Sequence, residues 1–332
     1  MIQPDILEPL RSEKLGLVTG ITGQDGSYMA EHLLVQGYRV IGLTRNVDAA
    51  RGRLPSHLSE AVGLQSWDPC DQGSIESIVA EHRPHEIYNF AAYSTGTGMY
   101  DDPVSIGEVN GLAVARMLEV IRVIDPSIRF CQASSREIFG EALVSPQTEL
   151  TPTNPRSPYG AAKLYADSML RISRGRYGLF ATSAILFNHE SPRRELSFIS
   201  RKITHAAARI KLGLDRELVL GNLDALRDWG FAGDYVRAMW LMLQQPTPDD
   251  YVIATGTAHS VRELCQVAFS RVGLDYRDYV RTDPELYRPS EPFPLVGNSA
   301  KARSNLGWAP QLQFSELIGQ MVDNDLALLS KG

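Results

Sequence analysis

The chain has 332 residues, enough for one large domain or two moderate ones, and its 43% hydrophobic and 22% charged residues are typical of a globular protein. The net charge of -6 argues against a general nucleic-acid binder, because such a protein needs a basic face to displace counterions from phosphates. Any anionic ligand must therefore meet a local basic patch.

The first segment, MIQPDILEPLRSEK, carries acids and a proline where a secretory signal would be apolar. No apolar run approaches the length of about 18 residues that spans a membrane. Three widely spaced cysteines suit reduced thiols better than a disulfide framework or a zinc site. We therefore expect a cytoplasmic protein that has neither a membrane nor a nucleic acid as its partner.

Short β-rich runs alternate with longer segments of helical period up to about residue 187. The strand-like runs are LGLVTG, RVIGLT, EIYNFAA, IRFCQAS and FATSAILF, and the helical segments between them are 26–37, 73–82, 103–124 and 158–177. Such alternation predicts βαβ units, in which helices cover both faces of a parallel sheet. The predicted fold class is therefore α/β, with a Rossmann doubly wound parallel sheet.

The alternation of strand-like and helical segments becomes less regular from about residue 188. The later predicted elements are helices up to about 212, near 232–245 and near 313–329, and a return to the sheet at YVIATG. We expect a large dinucleotide-binding domain over residues 1–187 and about 229–257. A smaller, discontinuous substrate domain would take about 188–228 and 258–332, with a ligand cleft between the two domains.

The segment LGLVTGITGQDGSYMAEHLL places Gly20, Gly23 and Gly26 on a G-x-x-G-x-x-G spacing between the first strand and an amphipathic helix. Glycines let the backbone turn tightly and approach a pyrophosphate, whose charge then lies at the helix N-terminus. Three glycines alone could also form a structural turn. Their place after the first strand favours a dinucleotide site.

The end of the second strand bears on the choice of dinucleotide. Sites that prefer NAD tend to place an acid there to hold the ribose 2′-hydroxyl. This chain has Thr44, Arg45 and Asn46, so an arginine is available for a 2′-phosphate and we favour NADP. Asp68, after the third predicted strand, would bond the adenine amine or serve only as an exposed turn acid.

The segment SPYGAAKLYADSML contains Tyr159 and Lys163, which lie four apart on a predicted helix and so share one face. An ammonium lowers the pKa of a nearby phenol, so that the phenolate can accept a proton from a substrate hydroxyl. The same spacing occurs by chance in many helices. Here the pair follows a dinucleotide loop and a strand that ends in Ser134 and Ser135, which favours catalysis.

With these features the chain resembles the GDP-mannose 4,6-dehydratase family of extended short-chain dehydrogenases/reductases over almost its whole length. The strings that carry the resemblance are TGITGQDGSYMAE, FNHESPRRE, RKIT, LRDWGFAGDYV, MLQQ, VIATG, SVRE and RPSE. The resemblance implies a lyase that dehydrates a GDP-sugar to its 4-keto-6-deoxy form. It also implies that NADP accepts a hydride and returns it within one turnover.

The resemblance implies a role for each matching catalytic residue. Tyr159 would take the proton from the sugar O4, and Lys163 would support it. Glu137 would remove the C5 proton and then protonate the departing O6 hydroxyl. Ser135 stands where the family usually has threonine and would hydrogen-bond near O4. An extended tail would point Ser135 and Glu137 to the same side and Arg136 away from it.

The remaining assignments divide between cofactor and substrate. Assigned to the cofactor are Gly20, Gly23, Gln24, Asp25, Gly26, Arg45, Asp68, Ala91, Ala92, Lys163, His189 and Arg194. Assigned to the GDP-sugar are Ser94, Asn188, Lys202, Arg227, Arg288 and Glu291. Arginine and lysine suit a diphosphate, since they supply charge and hydrogen bonds. Without the resemblance each of these charges would be interpreted as a solvated surface charge.

One segment departs from the family's pattern. The chain has YNFAAYSTGTGMYDDP where the family usually reads close to YNLGAQSHVAVSFESP, so that Thr95 replaces a histidine, and Gly96 and Gly98 add backbone freedom. Our hypothesis is a pocket that admits a GDP-manno-heptose, with one more carbon at C6. The alternative is that the loop has merely drifted.

A second departure concerns assembly. The segment NVDAARGRLPSHL lacks the doubled arginine common in the family, where this loop helps subunits associate. The expected state is therefore a homodimer or a homotetramer. The seven histidines show no H-x-H or H-E-x-x-H arrangement, so no metal site is predicted.

Two other functions stay open at this stage. One is a 4-keto reductase or epimerase of the same superfamily, which would need no carboxylate at position 137. The other is a nucleotide-sugar binding protein without catalysis, against which Glu137, Tyr159 and Lys163 count.

Overall fold

The computed structural model describes residues 14–94, 100–287 and 294–330. The strands are β1 (Leu15–Thr19), β2 (Arg39–Thr44), β3 (Gly63–Ser66), β4 (Glu86–Asn89), β5 (Arg129–Ser135), β6 (Ala181–Leu186), β7 (Asn188–Glu190), β8 (Leu218–Leu220), β9 (Leu226–Phe231), β10 (Tyr251–Ile253), β11 (Ala258–Ser260) and β12 (Val280–Thr282). The α-helices are α1 (Gln24–Val35), α2 (Val47–Arg53), α3 (Ser56–Ala61), α4 (Gln72–His82), α5 (Pro103–Gly107), α6 (Ala113–Ile124), α7 (Pro158–Tyr177), α8 (Ile199–Lys211), α9 (Ala232–Leu243), α10 (Val261–Arg271), α11 (Tyr276–Tyr279), α12 (Ala300–Leu306) and α13 (Phe314–Leu329).

Seven strands form one parallel sheet in the order β3-β2-β1-β4-β5-β6-β10. Its central strands are buried along most of their length because helices cover both faces, and all five residues of β1 are buried. The strand order reverses between β1 and β4, where open α/β sheets bind their ligands. The predicted Rossmann doubly wound sheet is confirmed.

Helix α7 shows why its limits could be predicted. Ser157 caps its N-terminus by accepting a hydrogen bond from the backbone N–H of Gly160, and Pro158 occupies the first turn. Gly178 ends it with a φ of 69°. The helical segment predicted over 103–124 is confirmed in its limits, and a π-helical turn at Glu108–Leu112 lies within it between α5 and α6.

A second layer lies beyond the carboxyl ends of the large sheet. It contains a three-stranded sheet, β11-β9-β7, and the pair β12-β8. The helices α8, α10 and α13 pack together over these strands in a separate apolar core. The segment of α12 differs, because Ala302, Leu306 and Trp308 pack into a core cluster of the large sheet. The domain limits given above stay a prediction.

Among the described residues, no helix is both long and apolar enough to cross a membrane.

Candidate functional site

A cavity of about 650 Å³ lies where the large sheet meets the second layer. Its floor comes from the carboxyl ends of β5 and β6 and from residues that follow β4, and its walls come from α7, α8 and β9. Parallel strands end at the same edge, so residues that are far apart in sequence meet there. Twelve of the predicted site residues line this cavity: Asp25, Ala92, Ser94, Ser135, Glu137, Tyr159, Lys163, Asn188, His189, Arg194, Lys202 and Arg227.

The turn between β1 and α1 has the geometry of a dinucleotide cradle. Gly20 has a φ of 64°, which disfavours any residue with a side chain. A Cβ on Gly26 would lie 2.3 Å from the carbonyl oxygen of Gly20, so the turn closes tightly only with glycine. The turn therefore brings backbone N–H groups and the N-terminus of α1 to one point, and these fit a pyrophosphate.

Asp25 and His189 are hydrogen-bonded to each other at the start of this helix, with little exposure to solvent. The Nε2 of His189 lies 2.9 Å from a carboxylate oxygen of Asp25, and its Nδ1 lies 2.7 Å from the carbonyl oxygen of Phe187. Burial opposes a charged ring, but the Asp25 carboxylate outweighs it and raises the pKa of His189. Gln24 donates to the His189 carbonyl oxygen at 3.0 Å. These contacts tie the glycine turn to β7.

Tyr159 and Lys163 project from one face of α7, as predicted. The ammonium of Lys163 lies 5.8 Å from the centre of the Tyr159 ring and donates a 2.8 Å hydrogen bond to the carbonyl oxygen of Ala133. Burial lowers the pKa of Lys163 to about 8, against the attraction of Asp167 and Asp25.

The expectation that the pKa of the Tyr159 phenol is lowered is wrong. Burial raises its pKa to about 12, and the Glu137 carboxylate adds to this rise. A hydrogen bond with Ser135 and the charge of Arg194 act in the opposite direction. The phenol is therefore protonated at neutral pH, and Ser135 is its direct side-chain partner.

The geometry expected for residues 135–137 is also wrong. Arg136–Ile138 form a 3-10 turn rather than an extended tail, because the Ser135 hydroxyl accepts a 3.2 Å hydrogen bond from the backbone N–H of Glu137. Arg136 does not face away. It is buried in the cavity wall, and its Nη2 lies 2.9 Å from Oε1 of Glu137.

Seven other residues assigned to the cofactor lie outside the cavity wall: Gly20, Gly23, Gln24, Gly26, Arg45, Asp68 and Ala91. Arg45 is exposed directly after β2. Asp68 is exposed after β3, and its carboxylate already accepts from the backbone N–H of Cys70 at 2.8 Å. Ala91 follows β4, with its N–H on the hydroxyl of Thr19 at 2.9 Å.

The residues assigned to the substrate are brought together only in part. Lys202 donates to the carbonyl oxygen of Val219 at 3.2 Å, and Arg227 donates to that of Leu226 at 2.6 Å. Both line the cavity with Ser94 and Asn188. The predicted residues Arg288 and Glu291, and the departing positions Thr95, Gly96 and Gly98, lie outside the described residues.

Sequence reasoning missed several residues of the cavity wall. Phe198 lies under the Arg194 guanidinium, 3.5 Å from its carbon to the ring centre. Trp229 is buried there, and no described residue accepts a hydrogen bond from its indole N–H. The string LRDWG contains Trp229 but gives no sign of where the ring points. Arg136 was expected to face away from the sugar, but it lies in the cavity wall.

Comparisons with known proteins find similar sequences over nearly the whole chain. The family described as GDP-mannose 4,6 dehydratase matches residues 17–321. GDP-mannose 4,6 dehydratase 2 of Arabidopsis thaliana is 45% identical over 338 residues, which cover 98% of this chain and 90% of the relative. GDP-mannose 4,6-dehydratase of Vibrio cholerae is 38% identical over 355 residues, with 96% and 95% covered.

Solved structures share the fold. The UDP-glucose 4-epimerase of Thermus thermophilus, in complex with NAD, is 26% identical with a TM-score of 0.80, and the match covers 94% of this chain and 98% of that chain. The protein RMD from Pseudomonas aeruginosa, complexed with NADPH, is 20% identical with a TM-score of 0.82, and 95% and 99% are covered.

Proposed function

This chain belongs to the GDP-mannose 4,6-dehydratase family, and we propose that it converts a GDP-sugar, GDP-mannose or a GDP-manno-heptose, to the GDP-4-keto-6-deoxy sugar with NADP as its cofactor. It is an enzyme of the hydro-lyase class that uses a nicotinamide cofactor. The observation that carries the proposal is that Glu137 lines one cavity with Tyr159 and Lys163, because a simple reduction needs no such carboxylate.

Residues around the β1–α1 turn would hold the cofactor. The glycine turn and the N-terminus of α1 suit its pyrophosphate, while Lys163 and His189 lie in the adjoining cavity wall. Arg45 would meet a ribose 2′-phosphate after β2, where NAD sites tend to place an acid. When bound, the nicotinamide supplies a hydride acceptor for C4 and later a hydride donor for C6.

Tyr159 would act on the sugar O4. The phenol would first release its own proton to solvent, and the phenolate oxygen would then accept the O4 proton as C4 is oxidised. Ser135, already hydrogen-bonded to Tyr159, would support both oxygens. The Lys163 ammonium lies 5.8 Å from the ring centre, where its charge would favour the phenolate. These groups generate a 4-keto sugar.

Glu137 would then carry out the elimination. The 4-ketone acidifies C5–H, and the carboxylate takes that proton while the C5–H electrons move toward the ketone. As C6–O6 breaks and C5=C6 forms, the same carboxyl gives its proton to O6 and water leaves. One group thus serves as base and then as acid. Reduction of C6 by the returned hydride and protonation of C5 from solvent would complete the deoxy sugar, while Tyr159 releases the O4 proton to solvent.

Mass spectrometry tests the proposal directly. The protein is incubated with NADP and either GDP-mannose or GDP-manno-heptose, without added reductant. We expect the loss of one water from a GDP-sugar and no net consumption of the cofactor. In a parallel incubation with NADPH, stoichiometric oxidation of the cofactor would instead identify a reductase. No change in either sugar at saturating NADP would contradict the dehydratase function.

A competition assay tests the heptose hypothesis separately. If the pocket is built for one more carbon at C6, the heptose should be turned over with the higher kcat/KM. Equal or better turnover of GDP-mannose would reject the heptose and leave the dehydratase function intact.

A further inference from the structure

Arg136 is an arginine buried inside the reaction cavity. Its side chain is 9% exposed and that of Glu137 is 12% exposed, and the two are joined by the 2.9 Å contact between Nη2 and Oε1. Both side chains line the cavity together with Tyr159. An ion pair so placed can affect any reaction step that uses the carboxylate.

The backbone explains how adjacent residues come to pair. In a strand, successive side chains point to opposite faces of the sheet, so Arg136 and Glu137 would be separated. The Ser135 hydroxyl holds the N–H of Glu137 and closes a 3-10 turn, which rotates the two side chains toward each other. The pairing is therefore built into the turn that ends β5.

We propose that Arg136 is a positioning residue, which orients the Glu137 carboxylate for removal of the C5 proton and for its delivery to O6. A guanidinium fixes a carboxylate in direction as well as in charge. A carboxylate with one oxygen held against it can present the other to the substrate. This inference rests on the proposed dehydratase function, in which Glu137 is the base.

The two chemical stages separate this role from general support of the fold. Oxidation at C4 depends on Tyr159 and Lys163, whereas elimination depends on Glu137. A residue that orients Glu137 should slow elimination and spare oxidation. The reduced nicotinamide formed at C4 oxidation would then accumulate, and its absorbance reports the block during a single turnover.

The experiment compares wild-type enzyme with Arg136→Met, Arg136→Lys and the control Arg122→Met in rapid mixing with the GDP-sugar. Arg122 forms an exposed pair with Glu119, joined at 2.6 Å, on α6. Arg136→Met should slow elimination by up to about 100-fold, as expected for a misplaced catalytic group. Reduced nicotinamide should accumulate, with Arg136→Lys between Arg136→Met and wild type. Arg122→Met should behave as wild type.

Three results would overturn the proposal: wild-type elimination in Arg136→Met, equal slowing of oxidation and elimination, or a higher KM with kcat unchanged. Equal slowing would indicate support of the fold, and the KM effect would indicate direct substrate binding. Because wild-type turnover is measured in the same experiment, failure of the proposed function would be seen separately, as no water loss in wild-type enzyme.

Discussion

Two glutamates of low exposure, at opposite ends of the large sheet, have very different surroundings. Glu86 begins β4, is 1% exposed, and lies at the end of the sheet away from the cavity. Tyr88 donates to one of its carboxylate oxygens at 2.7 Å, and Tyr38 and Lys14 donate to the other at 3.0 Å and 3.3 Å. Donors from the surrounding protein therefore meet both oxygens of this carboxylate.

Glu137 lies just past the end of β5, the neighbour of β4 in the sheet. Its carboxylate is held from the side by Arg136 and faces a cavity large enough for a ligand. Both acids have low exposure, so exposure alone does not distinguish a structural carboxylate from a chemical one. The difference is that hydrogen-bond donors of the protein meet both oxygens of Glu86, whereas Glu137 faces a cavity.

The largest expected effect is at Glu137. Glu137→Gln keeps the size of the side chain but removes its capacity to take the C5 proton, so dehydration should fall by about 10²- to 10⁴-fold. NADP binding, followed by fluorescence titration, should be unchanged. Water loss measured by mass spectrometry gives the rate. Survival of dehydration in this variant would place the base elsewhere and remove the contrast with Glu86.

At Glu86 we expect an effect on stability instead. Glu86→Leu removes the acceptor of the buried Tyr88 hydroxyl and should lower the free energy of unfolding by about 1–3 kcal/mol. Urea denaturation measures this loss, while kcat per folded enzyme should stay at the wild-type value. Glu86→Gln, which keeps one oxygen acceptor, should cost less. A fall in kcat with unchanged stability would show that the Glu86 cluster contributes to catalysis.

The sequence predicts the site best where one local signal fixes one geometry. Tyr159 and Lys163 share a face because they lie four apart on α7. A capping serine, a first-turn proline and a terminal glycine mark the limits of that helix. Gly20 and Gly26 of the first turn follow from steric demands that other residues do not meet. These signals act over a few residues, so their consequences can be deduced without the fold.

Features set by competing local bonds were harder to predict. Ser135 could continue the strand, or its hydroxyl could cap a turn. The structure shows that the hydroxyl caps a turn, which places Arg136 in the cavity wall. The π-helical turn between α5 and α6 gives no periodic signal of its own. Burial has the largest effect on the pKa of the Tyr159 phenol, and burial is a property of the assembled fold.

Asp167 is a third buried carboxylate, intermediate between the other two. Its oxygens accept hydrogen bonds from Ser134 at 2.6 Å and Ser183 at 2.7 Å, as in a structural site. It also lies four residues after Lys163 on α7, and its charge favours the ammonium of that lysine. Asp167→Asn therefore tests whether a carboxylate satisfied by the fold can still affect the chemistry.

The stability of the Asp167→Asn variant has a defined pH dependence. Burial raises the pKa of Asp167 to about 6 from an ordinary 3.8, so between these values the folded state holds a proton that the unfolded state has released. Proton binding at Asp167 therefore stabilises the folded state at low pH, and this contribution to the free energy of unfolding is lost as the pH rises through that window. Asparagine does not titrate, so that part of the fall should disappear from urea titrations of the variant.

The smallest expected effect is on the pH dependence of turnover. Lys163 has a pKa of about 8, so kcat/KM should fall as the pH rises through that value and the ammonium is lost. Asp167→Asn removes a negative charge that favours the ammonium, and the fall should move to lower pH by roughly one unit. An unchanged pH profile of kcat/KM would mean that Asp167 contributes only to stability, as expected for Glu86.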